Sequence, residues 1–411
     1  MKGKSEFVGS TIVLMFLVML PLIMHNGFLD ITDTKMWAYV ILVGCYAVFS
    51  VFILIYSKKK VHNSIFTDLL IIWATIVIIS CVLSEAGKFA FSGIAARNNG
   101  GFLILSYVVV ALCLERIGEL KKLHIYTLLI VGVMVALLGI ANNFGVDPLN
   151  TLSHIVEEQR TLYVSTIGQI DIYVSFFSIV LPISIFNAWM EKRIILKVVN
   201  AFFSFIYILA MILSGCESVF ITLFVMVFVY GLILARQHMV FLSLPICSVL
   251  ALISFLIVNP SLLYFCDTWG NNRGFIWKQG MDFYSQAGIK DKLIGIGPDS
   301  VGLVFHWHYG ISATVINGST YDNLHNLFLQ ILVTTGALGL LVFLALCIVA
   351  IYNLLRGVGN DSSRGNYNIP IAVAAICYLA QSVVNISSPA TLGILIVLVA
   401  IGQKKKGGKK K

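Results

Sequence analysis

The chain has 411 residues, of which 59% are hydrophobic and only 11% are charged, and its mean hydropathy is +0.93. Ordinary soluble domains carry about a quarter charged residues, so this chain has too little polar material to cover a soluble enzyme and is too apolar to be disordered. The net charge of +9 could indicate a nucleic-acid partner. Membrane proteins, however, concentrate Lys and Arg in their cytoplasmic loops. The composition therefore predicts an all-α polytopic membrane protein and no nucleic-acid partner.

Uncharged apolar runs recur along the whole chain at the length of about 20 residues that a membrane-spanning helix needs. We predict twelve transmembrane helices in a single integral membrane domain, residues 1–411. They lie near residues 9–24, 36–57, 67–83, 101–114, 123–141, 166–190, 194–214, 217–235, 239–258, 325–351, 369–386 and 390–402. The turn 387–389 is very short, which leaves a re-entrant pair as the alternative for the last two spans.

The basic residues are distributed unequally between the two sides of this topology. Loops on the side of the termini hold 20 Lys and Arg, and loops on the other side hold 8. This bias predicts that both termini are cytoplasmic. The outward side holds those 8 basic residues and 13 acidic ones, so an anionic ligand there must be held by individually placed arginines.

One predicted outer loop is much longer than a connection requires. It spans residues 259–324, or 66 residues, between the ninth and tenth spans. Loops of this length usually carry function or are disordered. Its richness in aromatic residues and glycine, and its low content of Ser, Pro and Glu, predict order. We expect this extracytoplasmic loop to cap the active site.

Ionisable residues are almost absent from the predicted span interiors, the exceptions being Asp171 and Glu217 near outer ends. Ion-coupled transporters generally place ionisable groups or broken helices near the midplane. The pattern counts against a proton-driven carrier and leaves a lipid flippase open.

The ionisable residues gather instead at the outer boundary, where Arg160, Arg273 and His325 stand out. Each could be an interfacial anchor or a helix-start residue. An arginine pair is also suited to binding diphosphate, and an imidazole is suited to base catalysis near neutral pH. His306 and His308 have no Cys or carboxylate at ligand spacing. We therefore predict neither a metal nor a cofactor.

The second half of the chain resembles the O-antigen ligase and polymerase superfamily of bacterial membrane glycosyltransferases. The resembling pieces are Arg273 followed by Trp277, the turn Leu293-Ile-Gly-Ile-Gly-Pro-Asp-Ser, and His325-Asn326 heading a span that contains Gly-Ala-Leu-Gly. A further segment, Ser165-Thr-Ile-Gly-Gln-Ile-Asp-Ile-Tyr, resembles the family's Gly-Asn-x-Asn segment. The matched motifs cover roughly residues 160–340.

The resemblance implies a membrane glycosyltransferase at the outer face of the bacterial cytoplasmic membrane. The sequence has no acidic pair at metal-binding spacing, so we predict that the transfer needs no metal. Its donor would be an undecaprenyl-diphosphate-linked glycan in the membrane lipid, and its acceptor a sugar or a lipid-linked sugar. Arg273 would hold the diphosphate, and Arg160 lies near a position where the family often has a basic residue. His325 would activate the acceptor hydroxyl, supported by Asn326 and Trp277. Direct attack would invert the anomeric carbon, whereas a retaining route needs a carboxylate nucleophile. The candidates for that nucleophile are Asp171, Glu217, Asp299 and Asp322.

Two departures from the family pattern bear on the choice of function. The Gly-Asn-x-Asn segment reads Gly168-Gln-Ile-Asp171, and Glu217 lies where many members have arginine. An acid beside an anionic donor reverses the local field, so we expect Arg160 or Arg97 to compensate.

The second departure favours an envelope polysaccharide polymerase, of the O-antigen or capsule type, over a lipopolysaccharide ligase. The alternatives are a ligase that attaches finished glycan to a lipid or wall acceptor and, in a different class, a lipid-linked glycan flippase or transporter. A flippase and a chain-length regulator of the same pathway are the expected protein partners of a polymerase.

Overall fold

The computed structural model describes residues 2–28, 30–57, 64–94, 97–118, 120–153, 155–236, 239–258, 266–310, 315–316, 319–356 and 367–403. The first part of the predicted outer loop, 259–265, and the C-terminal basic residues 404–411 lie outside this set.

The described residues form a bundle of α-helices with two short hairpins. The helices are α1 (Lys2–Leu22), α2 (Ile31–Ser57), α3 (Ile65–Val82), α4 (Lys88–Ser92), α5 (Gly101–Ile117), α6 (Lys122–Asn143), α7 (Ile170–Met190), α8 (Ile194–Leu213), α9 (Ser218–Ala235), α10 (Ser243–Val258), α11 (Trp269–Gln286), α12 (Ile289–Ile294), α13 (Val301–Tyr309), α14 (Leu327–Arg356), α15 (Asn368–Gln381) and α16 (Ile394–Gly402). The antiparallel hairpins pair β1 (Tyr163–Val164) with β2 (Gly168–Gln169) and β3 (Val315–Ile316) with β4 (Ser319–Thr320).

Seven helices of the described chain, α2, α3, α6, α7, α8, α9 and α14, are long and apolar enough to cross a membrane. Four further apolar segments are shorter, namely Glu6–Leu22, Met239–Ser254, Asn368–Gln381 and Pro389–Gly402. The polytopic helical architecture is confirmed. The count of twelve spans is not, because five predicted spans, the four that match these shorter segments and 101–114 in the 17-residue helix α5, do not coincide with any of the seven long apolar helices.

Helix α7 lies at the centre of the bundle, where it packs against α8, α9 and α15. Its residues from Tyr173 to Ser184 are all buried. Hydroxyl groups in this core donate to backbone carbonyls, as Tyr230 does to Pro182 O at 2.7 Å. Such bonds satisfy polar groups that have no access to water.

The predicted loop 259–324 contains α11, α12, α13 and the β3–β4 hairpin, and it is followed directly by α14. The Gly-x-Gly-Pro turn after α12 lies against a kink in α14, with Ile296 N donating to Val333 O at 3.1 Å. Gly295 and Gly336 have φ of +81° and +70°, and a Cβ at either would come within 2.2 Å of the opposite backbone. Both motif glycines are therefore required for this backbone contact.

Candidate active site

His325 is held in an unusual backbone conformation immediately before α14. Its φ is +47°, which is uncommon for a residue with a side chain. The Oδ1 atom of Asn323 accepts a hydrogen bond from His325 N at 2.9 Å. Asn326 caps α14, since its Oδ1 accepts from Phe328 N and Leu329 N, both at 3.0 Å. The two asparagines thus fix the backbone that carries the imidazole, and Asn326 acts as a helix cap.

Trp277 fixes the same segment from the side of α11. Its Nε1 donates to Leu324 O at 2.9 Å, and Leu324 N donates to Gln330 Oε1 at 3.0 Å. The ring of Trp277 lies 5.3 Å from that of Trp269. Trp277 therefore supports the loop that carries His325.

Arg273 is joined to Asp171 across the site. Its Nη2 lies 2.9 Å from Asp171 Oδ2, and the two side chains are only 18% and 13% exposed. Asp171 lies in the first turn of α7, and its carbonyl accepts from Asn385 Nδ2 at 2.6 Å. This places the guanidinium in a largely dehydrated setting, where its charge acts strongly on nearby groups.

A second arginine, Arg97, reaches the site from the segment between α4 and α5. Its Nε lies 3.1 and 3.0 Å from the two carboxylate oxygens of Asp322. Asp322 precedes His325 by three residues, so this ion pair joins segments that are 225 residues apart in sequence. Of the two arginines that we expected to compensate for Glu217, Arg97 is the one placed beside the head of α14.

Asp299 anchors the segment that carries Arg97. Its Oδ2 accepts from Ile94 N at 2.7 Å and from Asn99 N at 3.1 Å, one bond on each side of Arg97. The side chain is buried, and its Oδ1 has no hydrogen-bond partner within the described residues. Burial raises the pKa of this carboxyl to about 7. Asp299 thus connects the Gly-Pro turn to the segment between α4 and α5 by hydrogen bonds.

The electrostatics of the site act on His325. Burial, followed by the charges of Arg97 and Arg273, lowers the pKa of its imidazole to about 4, against smaller opposing effects of Asp171 and Asp322. The imidazole is therefore neutral at neutral pH and is able to accept a proton. The same balance identifies Arg97 and Arg273 as cations close enough to influence it.

Two other predicted site residues, Arg160 and Glu217, are exposed. Arg160 is exposed on the 3₁₀ helix Glu157–Leu162, and its Nε donates to Ile155 O at 3.3 Å. The charges with the largest effect on the pKa of His325 are those of Arg97, Arg273, Asp171 and Asp322 instead. Glu217 is exposed at the start of α9, next to Cys216, whose Sγ donates to Asp171 Oδ1 at 3.2 Å. The roles assigned to Arg160 and Glu217 from the sequence remain predictions.

An apolar groove opens beside the head of α14. Its cavity volume is about 180 Å³, and apolar side chains of α3, α5, α14, α15 and α16 form most of its wall. Along α14 it extends from Leu327 to Ile351, a length comparable with a membrane crossing. The polar residues at its mouth include Asn99, Asp299 and Asn323. The groove thus joins a membrane-depth apolar surface to the vicinity of His325.

A second, polar cavity of about 300 Å³ is lined by both residues of the Arg97–Asp322 pair. Within the described part of the chain, no group of three or more His, Cys, Asp or Glu side chains is arranged to hold a metal ion.

Several residues that shape the site had no place in the sequence-based prediction. Asn323, Gln330 and Asn385 act through backbone hydrogen bonds. The segment Asp-Asn-Leu-His-Asn offered a signal for Asn323, because asparagine favours turns and helix caps. Gln330 and Asn385 are ordinary polar residues within apolar stretches, and no sequence pattern distinguishes them.

Residues 202–344 match the family model described as O-antigen ligase. This range contains Arg273, Asp299 and His325, while Arg97 and Asp171 precede it. The match confirms the resemblance to the O-antigen ligase and polymerase superfamily over about a third of the chain. A comparison with curated proteins found no match.

Proposed function

We propose that this protein is an envelope polysaccharide polymerase that transfers an undecaprenyl-diphosphate-linked glycan to an acceptor sugar at the outer face of the bacterial cytoplasmic membrane. The family comprises membrane glycosyltransferases of ligase and polymerase type. The observation that carries the proposal is the position of His325, which is held before α14 by Asn323, a residue of the groove wall, with the Arg97–Asp322 and Arg273–Asp171 ion pairs close enough to act on its imidazole.

The groove and the arginines together suit a lipid diphosphate. An isoprenoid chain would gain free energy by lying against the apolar wall of the groove. Its diphosphate would then reach Arg97 and Arg273, whose planar guanidinium groups bind phosphate oxygens in pairs. In the donor-free protein these arginines are held by Asp322 and Asp171. The donor would compete with these carboxylates for the same N–H groups.

The reaction that this arrangement supports is a direct displacement. The acceptor hydroxyl oxygen forms a bond to the anomeric carbon while the bond from that carbon to the diphosphate oxygen breaks. The hydroxyl proton passes to the imidazole of His325, and undecaprenyl diphosphate leaves with the bonding electron pair. Arg97 and Arg273 stabilise the charge that develops on the leaving group. The anomeric configuration is inverted.

The carboxylates of the site bear on the alternative route, which passes through a covalent intermediate. Asp171 and Asp322 are paired with Arg273 and Arg97, and Asp299 is held by backbone N–H groups. A nucleophilic carboxylate must be free to approach the anomeric carbon. A donor that takes the arginine N–H groups would release Asp171 and Asp322, so the anomeric configuration of the product is the measurement that separates the inverting route from the retaining one.

A deletion mutant distinguishes the candidate functions. A polymerase mutant would lack long chains but still attach single repeat units to the final acceptor. A ligase mutant would accumulate long lipid-linked chains with no attachment, and a flippase mutant would retain lipid-linked units on the cytoplasmic side.

Complementation with His325→Ala is the matched control, because a dead enzyme should reproduce the deletion phenotype. Under this proposal a flippase delivers the donor, and a chain-length regulator acts on the product.

A further inference from the structure

The polar cavity beside Arg97 has a wall unlike that of the apolar groove. It has a volume of about 300 Å³, and its lining includes Asp30, Asp33 and Gln169 as well as the Arg97–Asp322 pair. A volume near 300 Å³ is at the lower end of the usual range for small-molecule sites. The cavity is therefore large enough for a small polar ligand.

Aromatic rings form another part of the wall. Phe28 and Tyr163 line the cavity, and their ring centroids lie 5.2 Å apart. Phe28 is buried, and Tyr163 is held by its pairing with Gln169 in the β1–β2 hairpin. Aromatic faces beside carboxylates match the apolar C–H faces and the donor hydroxyls of a pyranose ring.

The charged residues that line the cavity determine which kinds of sugar it can bind. Lys35 also lines it, but its ammonium donates to the carbonyls of Leu20, Pro21 and Ile23 at 2.7, 3.2 and 3.1 Å. The lysine side chain therefore caps the carbonyl groups at the C-terminal end of α1. Asp30 is engaged by His25, whose Nδ1 lies 2.7 Å from Asp30 Oδ2, and by Asn26 N, which donates to Asp30 Oδ1 at 3.1 Å. Asp33 Oδ1 accepts from Asn98 Nδ2 at 3.4 Å, which leaves this carboxylate with further acceptor capacity for hydroxyl or amino groups. The two carboxylates together repel an acidic sugar.

The segment that carries His325 contributes to the walls of both cavities. Asp322 lines the polar cavity, whereas Asn323 lines the apolar groove. We infer that the polar cavity is the subsite for the acceptor sugar, and that it accepts a neutral or amino-bearing glycan end. This inference rests on the proposed function. A donor in the groove and an acceptor in the cavity would meet beside His325.

The test is binding of free glycan to purified full-length protein in lipid nanodiscs. The probe is the repeat-unit oligosaccharide released by mild acid from the lipid-linked units that accumulate in the deletion strain. Replacing Asp33 with Asn, or Tyr163 with Ala, should weaken its binding about tenfold or more, since hydrogen bonds to charged groups contribute about 1.5–3 kcal/mol. Affinity for undecaprenyl diphosphate alone should stay within about twofold.

Asp267→Asn is the matched control, because Asp267 is an exposed carboxylate paired with Lys278 and does not line the cavity. Tyr163→Ala keeps the test decisive should Asp33→Asn fail to fold, as judged by its thermal unfolding midpoint. Equal glycan affinity in wild type and folded cavity variants, or displacement of the glycan by undecaprenyl diphosphate, would overturn the inference.

Elongation of lipid-linked units by the wild-type protein, measured in parallel, separates the two ideas. If elongation occurs but the cavity variants bind glycan normally, the subsite assignment fails and the polymerase proposal stands. If wild type does not elongate, the proposed function fails and the subsite falls with it.

Discussion

Asp322 and Asn323 are consecutive in the chain, yet they line two different cavities, Asp322 the polar one and Asn323 the apolar groove. Both residues also act on the loop that carries His325. Asp322 binds Arg97, and the Asn323 side chain accepts a hydrogen bond from the backbone of His325. This loop therefore separates a hydrophobic surface from a hydrophilic one, as a transferase with a lipid-linked donor and a sugar acceptor requires.

The first prediction concerns the two arginines near His325. Replacing Arg97 or Arg273 with Ala should weaken binding of undecaprenyl diphosphate by about tenfold or more, because each removes charge-assisted hydrogen bonds. Arg160→Ala is the informative comparison, since Arg160 is an exposed arginine of the same region. A loss at Arg160 equal to that at Arg273 would place Arg160 in the diphosphate site.

The pH dependence of transfer follows from the environment of His325. With its pKa lowered to about 4, the imidazole stays neutral down to low pH. The kcat/KM value should therefore be flat between about pH 5.5 and 6.5, where an ordinary histidine would already be losing its basic form. A bound diphosphate opposes the two arginine charges and raises this pKa, so kcat should begin to fall at a higher pH than kcat/KM.

These profiles are best measured in wild type and in Asp299→Asn, which removes the other carboxyl that titrates near neutral pH. A fall in kcat/KM with an apparent pKa near 6.5 in both proteins would contradict the electrostatic account of His325.

Asp299 gives a prediction for stability. Its pKa in the folded protein is about 7, above the ordinary value of 3.8. The folded state therefore binds the proton more tightly than the unfolded chain does. The resulting stability is fully present below about pH 4 and is lost as the pH rises through about 7.

Asparagine keeps an oxygen that accepts from Ile94 N and Asn99 N, but it carries no charge. Asp299→Asn should thus unfold at a higher temperature than wild type at pH 8, with the difference shrinking at pH 5. Asp299→Ala should unfold at a lower temperature at both pH values, because both N–H groups lose their acceptor. Identical pH dependence in wild type and Asp299→Asn would contradict the assignment.

Gly295 tests the backbone contact between the motif turn and α14. Alanine there would place its Cβ 2.2 Å from the backbone of Thr334, at a φ of +81°. We expect Gly295→Ala to lose several kcal/mol of stability and to express poorly. Gly288→Ala is the control, because nothing lies within 4 Å of its Cβ position. Equal thermal midpoints for the two variants would show that the turn can move away from α14.

The sequence was sufficient for the helical membrane architecture, because apolar runs leave little alternative to spanning helices. It was not sufficient for the number of full crossings. Asn368–Gln381 and Pro389–Gly402 are predominantly apolar, but their helices are short. Where such a helix begins and ends depends on packing and on the turn between 381 and 389.

The site, too, could be predicted from the sequence only in part. His325 and Arg273 were identified by motif, whereas the position of Arg97 depends on Asp299 and Asp322, which lie 200 or more residues away in sequence. A contact of that kind forms only through the tertiary fold. Asp299 was identified as a candidate nucleophile, and the structure shows it holding a loop in place.

The central claim is that His325 accepts the proton of the acceptor hydroxyl while the lipid diphosphate is held by other residues. The most direct measurement is the comparison of His325→Gln with wild type for undecaprenyl diphosphate affinity and for elongation of lipid-linked units. We predict donor affinity within about twofold and a loss of elongation rate of about 10²–10⁴-fold, the range for removal of a general base. Elongation at the wild-type rate by His325→Gln would contradict the claim.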